Sequence, residues 1–151
     1  MSSVSSGQAS HCVIYSDGGA RGNPGPAAAG VVIISDDGHV VVEMSEYLGI
    51  ATNNVAEYRA LLLGLQRALD DGYRRLDVCM DSELIVRQLN GRYRVKDAKI
   101  IPLHARARRL MGEFEDVHVT HVRRDQNHHA DKLVNAALDA HAAQRRLDES
   151  S

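Results

Sequence analysis

The chain's 151 residues predict one α/β domain on a five-stranded mixed sheet, three antiparallel strands plus two parallel ones, flanked by helices in the order βββαβααβα. Three observations carry that expectation. Apolar, β-branched runs separated by turn residues fill the first fifty positions, which is the pattern of strands. Apolar residues then recur at i, i+3, i+4 and i+7, which is the pattern of amphipathic helices. Two further strand-like runs lie between those helices. Strands joined by tight turns pair antiparallel, whereas strands reached through helical crossovers pair in parallel.

Each element follows in order. "HCVIYSD" reads as a short buried strand ending at Asp17, and the glycine- and proline-rich "GGARGNPGP" after it reads as a turn. That turn is not a phosphate loop. It has no lysine at Walker spacing, its prolines lack amide hydrogens, and a strand rather than a helix follows. "AAAGVVIIS" and "HVVVEMSEYL" read as two strands joined by Asp36-Asp37-Gly38, where Asp-Gly is a strong hairpin signal. A helix is expected from about Asn53, with Tyr58, Leu61, Leu62, Leu65, Ala68 and Leu69 on its apolar stripe and Gly72 at its end. "RRLDVCM" is the fourth strand, ending at Asp81. Ser82 then caps a short helix that stops at Gly91. "IIPLHARARRLMGEF" predicts another helix, "DVHVTHV" the fifth strand, and a last helix begins near Asn127. Residues 1–10 and 144–151 read as disordered tails, the second equally as the start of a linker, around a folded body at 11–143.

Composition bounds the function. Hydrophobic content of 44% with 25% charged residues is that of a soluble globular domain. No apolar run approaches the roughly 18 residues of a membrane span, and "MSSVSSGQAS" carries no secretory signal. Cys12 and Cys79 lie in strand-like runs and read as buried reduced thiols of a cytoplasmic protein. The net charge of −2 hides an asymmetry. Arg92, Arg94, Lys96, Lys99, Arg106, Arg108 and Arg109 lie between Gly91 and Leu110 against Asp97 alone. Seven of 18 basic residues thus share a short segment with one of 20 acidic ones. That is a candidate phosphate-backbone footprint and equally a solvated helix face.

Four carboxylates fall at element ends. Asp17 closes the first strand, Asp81 closes the fourth, and Glu57 and Asp131 sit in the first turns of the long and last helices. Parallel pairing brings Asp17 and Asp81 to one sheet edge, where α/β sheets tend to bind ligands. Clustered carboxylates repel unless cations neutralise them, and an oxygen-only set suits Mg²⁺ or Mn²⁺. Taken singly, Glu57 and Asp131 equally suit the positive end of a helix dipole, and Asp17 suits a turn.

"SDGGARGNPGPAAAG", "TNNVAEYRALLLGL", "MDSELIVRQLNG" and "NHHADKLVNAAL" resemble, in order and spacing, the four motifs of type 1 ribonuclease H, over roughly His11 to Ala140. The resemblance implies the ribonuclease H fold. It implies an endoribonuclease that hydrolyses the RNA strand of RNA/DNA hybrids with two divalent ions, Mg²⁺ or Mn²⁺, leaving 5′-phosphate and 3′-hydroxyl ends. It places the catalytic, metal-binding tetrad on Asp17, Glu57, Asp81 and Asp131. It places substrate contacts on Asn23, Thr52, Asn53 and Asn54, with Ser82 beside Asp81 as a further candidate. Short polar side chains suit the 2′-hydroxyl, reached across a wide, shallow minor groove. Asn53 or Asn54 also suits the helix cap.

Two departures from the pattern stand out. Many members place a histidine in a loop between the last strand and last helix, where it assists proton transfer and product release. No histidine in "VRRDQNHHAD" matches unambiguously; Arg124 and His128 are the candidate substitutes, with Arg124 preferred. Relatives with a basic protrusion also carry aromatic residues there, whereas this chain has no tryptophan and only Tyr93 between Gly91 and Leu110. Competing classes are a non-catalytic hybrid-binding module, which has no need of four repelling carboxylates, and a transposase- or resolvase-type nuclease, against which "TNNVAE" counts. The expectation is a monomeric, cytoplasmic hybrid-degrading enzyme with no membrane association.

Overall fold

A computed structural model describes residues 10–150. Strands β1 (His11–Ala20), β2 (Gly25–Ser35), β3 (Val40–Ala51), β4 (Arg75–Met80) and β5 (Asp116–His121) alternate with helices α1 (Asn53–Asp70), α2 (Glu83–Leu89), α3 (Ile101–Met111) and α4 (His128–Ser150) in the expected order. A 3-10 turn, Arg124–Asn127, leads into α4. The sheet runs β3-β2-β1-β4-β5. β1–β2 and β2–β3 are antiparallel, and β1–β4 and β4–β5 are parallel.

Alternation along the strands sends successive side chains to opposite faces, and each face takes its own helices. On one face Cys12, Ile14, Val31 and Ile33 join Tyr58, Leu61 and Leu65 of α1, with α2 and α3 residues closing the main core. Each such side chain contributes about 1.5–3 kcal/mol by leaving water. The other face carries a small core of Ala28 against Val134 and Leu138 of α4. β2 is buried along most of its length because helices cover both faces.

Three expectations are corrected. β1 does not stop at Asp17. It pairs with β2 as far as Ala20, while its pairing with β4 ends at Tyr15↔Cys79. Asp17 therefore sits on a strand edge that β4 has already left. Residues 144–150 are not a tail: α4 continues through them, since Ala142, Ala143, Gln144, Arg145 and Arg146 all favour helix. Of the expected N-terminal tail, residues 1–9 lie outside the described residues. Ser10 is buried, and its carbonyl accepts from the N–H groups of Arg74 and Arg75 at 2.7 and 3.2 Å.

Two glycines set how closely the helices approach. A Cβ on Gly18 would lie 2.2 Å from the Ala56 carbonyl carbon, and one on Gly30 would lie 2.2 Å from the Ala130 carbonyl oxygen. Both contacts are with backbone, which cannot swing aside. Gly18 thus lets the start of α1 press on β1. Gly30, which pairs with Asp17, lets the start of α4 press on the opposite face.

Candidate active site

Close approach at Gly18 and Gly30 brings the residue following Ala56 and the residue following Ala130 to the same place. Those residues are Glu57 and Asp131. Carboxylate oxygens of Asp17, Glu57 and Asp81 all lie within 4.8 Å of one another, and Asp131 stands beside Asp17, close enough to interact with it directly. β1 supplies Asp17, α1 supplies Glu57 from one face, α4 supplies Asp131 from the other, and Asp81 follows β4. Glu57 is not in the first turn of α1, which holds no acidic residue, so a capping role is excluded for it. Asp131 is in the first turn of α4, as expected.

Asp17 is only 7% exposed and Glu57 only 5%. Burial pushes the Asp17 carboxyl up from 3.8 to about 7; its contact with Glu57 works against that rise, and Asp81 and Asp131 add to it. Glu57 is held well above the ordinary carboxylate range, first by burial and then by Asp17, with the Gly18 N–H partly opposing. That N–H donates to Glu57 Oε1 at 2.6 Å, while Oε2 is buried with no hydrogen-bond partner. An oxygen-only donor set, mutual repulsion and a buried oxygen without a donor together fit a divalent cation.

The cluster opens into a cleft of about 390 Å³, also lined by Asn53, Asn54, Ser82 and Arg124. Asn23 and Thr52 are outside its lining and organise the start of α1. Thr52, rather than Asn53 or Asn54, is the N-cap, its hydroxyl accepting from Val55 N at 3.2 Å. Asn23 Oδ1 accepts from Asn53 N at 3.1 Å, and Asn53 Oδ1 accepts from Ala20 N at 2.8 Å. Both amides therefore keep their NH₂ ends for a ligand. Ser82 caps α2, accepting from Ile85 N at 3.3 Å. A larger groove of about 460 Å³ beside α3, with Tyr93, Arg94, Ile101 and Arg108 in its wall, contains no carboxylate.

Sequence reasoning missed Arg21, Asn127 and Asn135. Arg21, from the glycine-rich turn, pairs with Asp139 at 2.7 Å and donates to Asn135 Oδ1 at 3.3 Å. The Asn135 amide in turn donates to the Asp131 backbone oxygen at 3.1 Å. Spacing along α4 puts Asp131, Asn135 and Asp139 on one face, a signal the sequence did contain.

The sheet order and the carboxylates gathered where β1 and β4 part define a ribonuclease H-like domain. A family model described as reverse transcriptase-like matches residues 15–137. Ribonuclease HI of Halobacterium salinarum is 46% identical over 125 residues, covering 83% of this chain and 63% of that protein. A bifunctional protein of Mycobacterium tuberculosis is 43% identical over 137 residues, 90% of this chain and 38% of that one. The chain thus spans less than two thirds of the length of these curated relatives. The crystal structure of LC11-RNase H1 in complex with an RNA/DNA hybrid superposes with a TM-score of 0.83 at 43% identity, over 87% of this chain and 99% of that one. The chain belongs to the type 1 ribonuclease H family.

Proposed function

We propose that this domain is an endoribonuclease that cuts the RNA strand of RNA/DNA hybrids, leaving 5′-phosphate and 3′-hydroxyl ends. The observation that carries the reading is the close set of buried Asp17 and Glu57 with half-buried Asp81, and Asp131 beside them, an arrangement that is costly unless cations occupy it. Its similarity to a structure solved with a bound hybrid supports the substrate.

Asp17, central to the cluster, would be shared between two Mg²⁺ or Mn²⁺ ions, with Glu57, Asp81 and Asp131 completing their ligand sets. Bound there, such ions supply Lewis-acid activation of water and neutralise charge at the scissile phosphate. The protein's own groups then orient the duplex. Asn53 presents its NH₂ as a donor because its oxygen is tied to Ala20 N, and Asn23 does likewise through Asn53 N. Donors at these positions suit 2′-hydroxyl oxygens and base-edge acceptors of the minor groove. Asn54 and Ser82 line the same cleft. Arg124 also lines it and is the candidate to offset charge at the scissile phosphate as a fixed positive charge while the 3′ oxygen departs.

The basic segment supplies the long-range attraction. Arg92, Arg94, Lys96, Lys99, Arg106 and Arg109 are exposed and make no ion pair among the described residues, so their charge is available to phosphates. Cys12 and Cys79 are free thiols, which supports a reducing compartment such as the cytoplasm. One chain completes the cleft, which supports a monomer as the working unit.

The test is a 5′-labelled RNA annealed to DNA, with single-stranded and double-stranded RNA beside it, in Mg²⁺, Mn²⁺ and chelator. Metal-dependent cutting confined to the hybrid is the expected result. An intact hybrid that still binds the protein would replace the enzyme reading with a binding module.

A further inference from the structure

Beyond the last rung of the β1–β4 pairing at Tyr15↔Cys79, the two strands separate, and one side chain bridges them. Asn127 closes the 3-10 turn ahead of α4 and is 1% exposed. Its Nδ2 donates to the Ser16 backbone oxygen at 2.9 Å and to Asp81 Oδ2 at 3.2 Å. A primary amide has two hydrogens, and both are used. The reverse orientation would set Oδ1 against two acceptors, so the direction of the amide is fixed. Oδ1 itself is buried without a partner.

We propose that Asn127 is a positioning residue of the cation site that acts through Asp81. Resting on the cation-site reading above, the inference names what holds the least buried member of the triad in place. Asp17 and Glu57 are packed on rigid elements, whereas Asp81 lies one residue past the end of β4 and is only half-buried. Without Asn127, the Asp81 carboxylate has no hydrogen bond among the described residues to hold it toward Asp17 and is free to turn into solvent. The same amide also donates to Ser16 of β1, which anchors Asn127 beside Asp81. Hydrogen-bonded supports of metal ligands typically carry a 10–100-fold effect on metal affinity. Neither leucine nor alanine can donate either bond. Leucine nearly preserves the volume and so isolates the loss of the donors.

The experiment is calorimetric titration of Mn²⁺ into the chelator-treated full chain, with thermal midpoints recorded alongside. The proteins are wild type, Asn127→Leu, Asn127→Ala, Asp81→Asn and the Asp81→Asn/Asn127→Leu pair. Expected is a roughly tenfold weaker Mn²⁺ affinity in either Asn127 variant, and no further weakening when Asn127→Leu is added to Asp81→Asn. A lowered midpoint with affinity within about twofold of wild type would make Asn127 merely structural and overturn the proposal. An undiminished effect in the Asp81→Asn background would overturn the route through Asp81. Should both Asn127 variants fail to fold, the wild-type Asn127 side-chain NH₂ resonances decide. They must shift on Mg²⁺ saturation and must not shift in Asp81→Asn; any other pattern refutes the coupling. Wild-type protein that binds no Mn²⁺ would sink the cation-site reading, whereas wild-type binding matched by the variants sinks this inference alone.

Discussion

Replacing Asp17 with asparagine should stabilise the metal-free protein while ending its activity. Asp17 is buried among carboxylates, and its pKa rises from 3.8 to about 7. A folded-state pKa above the unfolded value means that the native state holds the proton more tightly. The associated stability is fully present below pH 4 and is lost as pH climbs through about 7. At about 1.36 kcal/mol per pKa unit, the shift corresponds to about 4 kcal/mol of burial and repulsion borne by ionised Asp17 at alkaline pH. Glu57 shifts in the same direction and steepens the fall. Asparagine keeps the size, carries no charge and offers Glu57 a donor, so about 2–4 kcal/mol should be recovered at pH 8. For a chain of this length each kcal/mol moves the midpoint by about 2–4 °C, giving a rise of roughly 5–15 °C. The assay is thermal unfolding in chelator from pH 4 to 8, then with added Mg²⁺. Wild type should lose stability between pH 4 and 7 and regain it with Mg²⁺; the variant should show a shallower pH dependence and a smaller Mg²⁺ response. A variant that melts at or below wild type at pH 8, with matching pH profiles, would refute the claim that these carboxylates are held together at a cost.

Other perturbations probe separate parts of the account. Gly30→Ala forces a methyl against the Ala130 carbonyl, 2.2 Å away; displacement of α4 should cost about 1–3 kcal/mol in urea unfolding and carry Asp131 out of reach, lowering cutting by at least tenfold. His11 is flanked by Asp36 and Asp77, with the Asp36 hydrogen bond, opposed by burial and joined by Asp77, raising its pKa above 6.5. Its stabilisation is therefore present below pH 6.5 and lost as pH rises through the raised pKa, so His11→Gln should lower the unfolding free energy from urea titration by about 1 kcal/mol at pH 5.5, and not at pH 9. Combined Arg94, Lys96 and Lys99 to alanine should reduce the salt slope of hybrid binding by roughly 2–3 in log–log units, while the midpoint of unfolding, set by buried contacts, stays put.

Much of this was legible in the sequence, for reasons that can be located. Asp81 announced itself because the apolar alternation of β4 ends at Met80 and a Ser82 cap follows. The register at Asp17 was not legible: β1 runs on to Ala20 because β2 continues to pair with it, and no local pattern reveals that β4 stops earlier. Thr52 displaced Asn53 and Asn54 as the cap because the two asparagine side chains were committed elsewhere, Asn53 to Ala20 and Asn54 to the cleft. Alanine and arginine in residues 142–146 extend α4 where charge and small residues suggested a tail. Asn127 escaped notice because a bridging amide depends on two strands diverging in space, which is a tertiary fact. Gly18 and Gly30 are common residues in turns and strands, and only the packed helices reveal that neither tolerates a Cβ.

The central claim is that four carboxylates on β1, α1, α4 and the end of β4 perform hybrid hydrolysis. Single-turnover cutting of a labelled hybrid by Asp17→Asn, Glu57→Gln, Asp81→Asn and Asp131→Asn, with hybrid binding measured in parallel, tests it most directly. The account predicts that each of the first three loses cutting by at least about a thousandfold and that Asp131→Asn is also impaired, while every variant still binds the hybrid. Cutting at wild-type rates by any of the first three would contradict it.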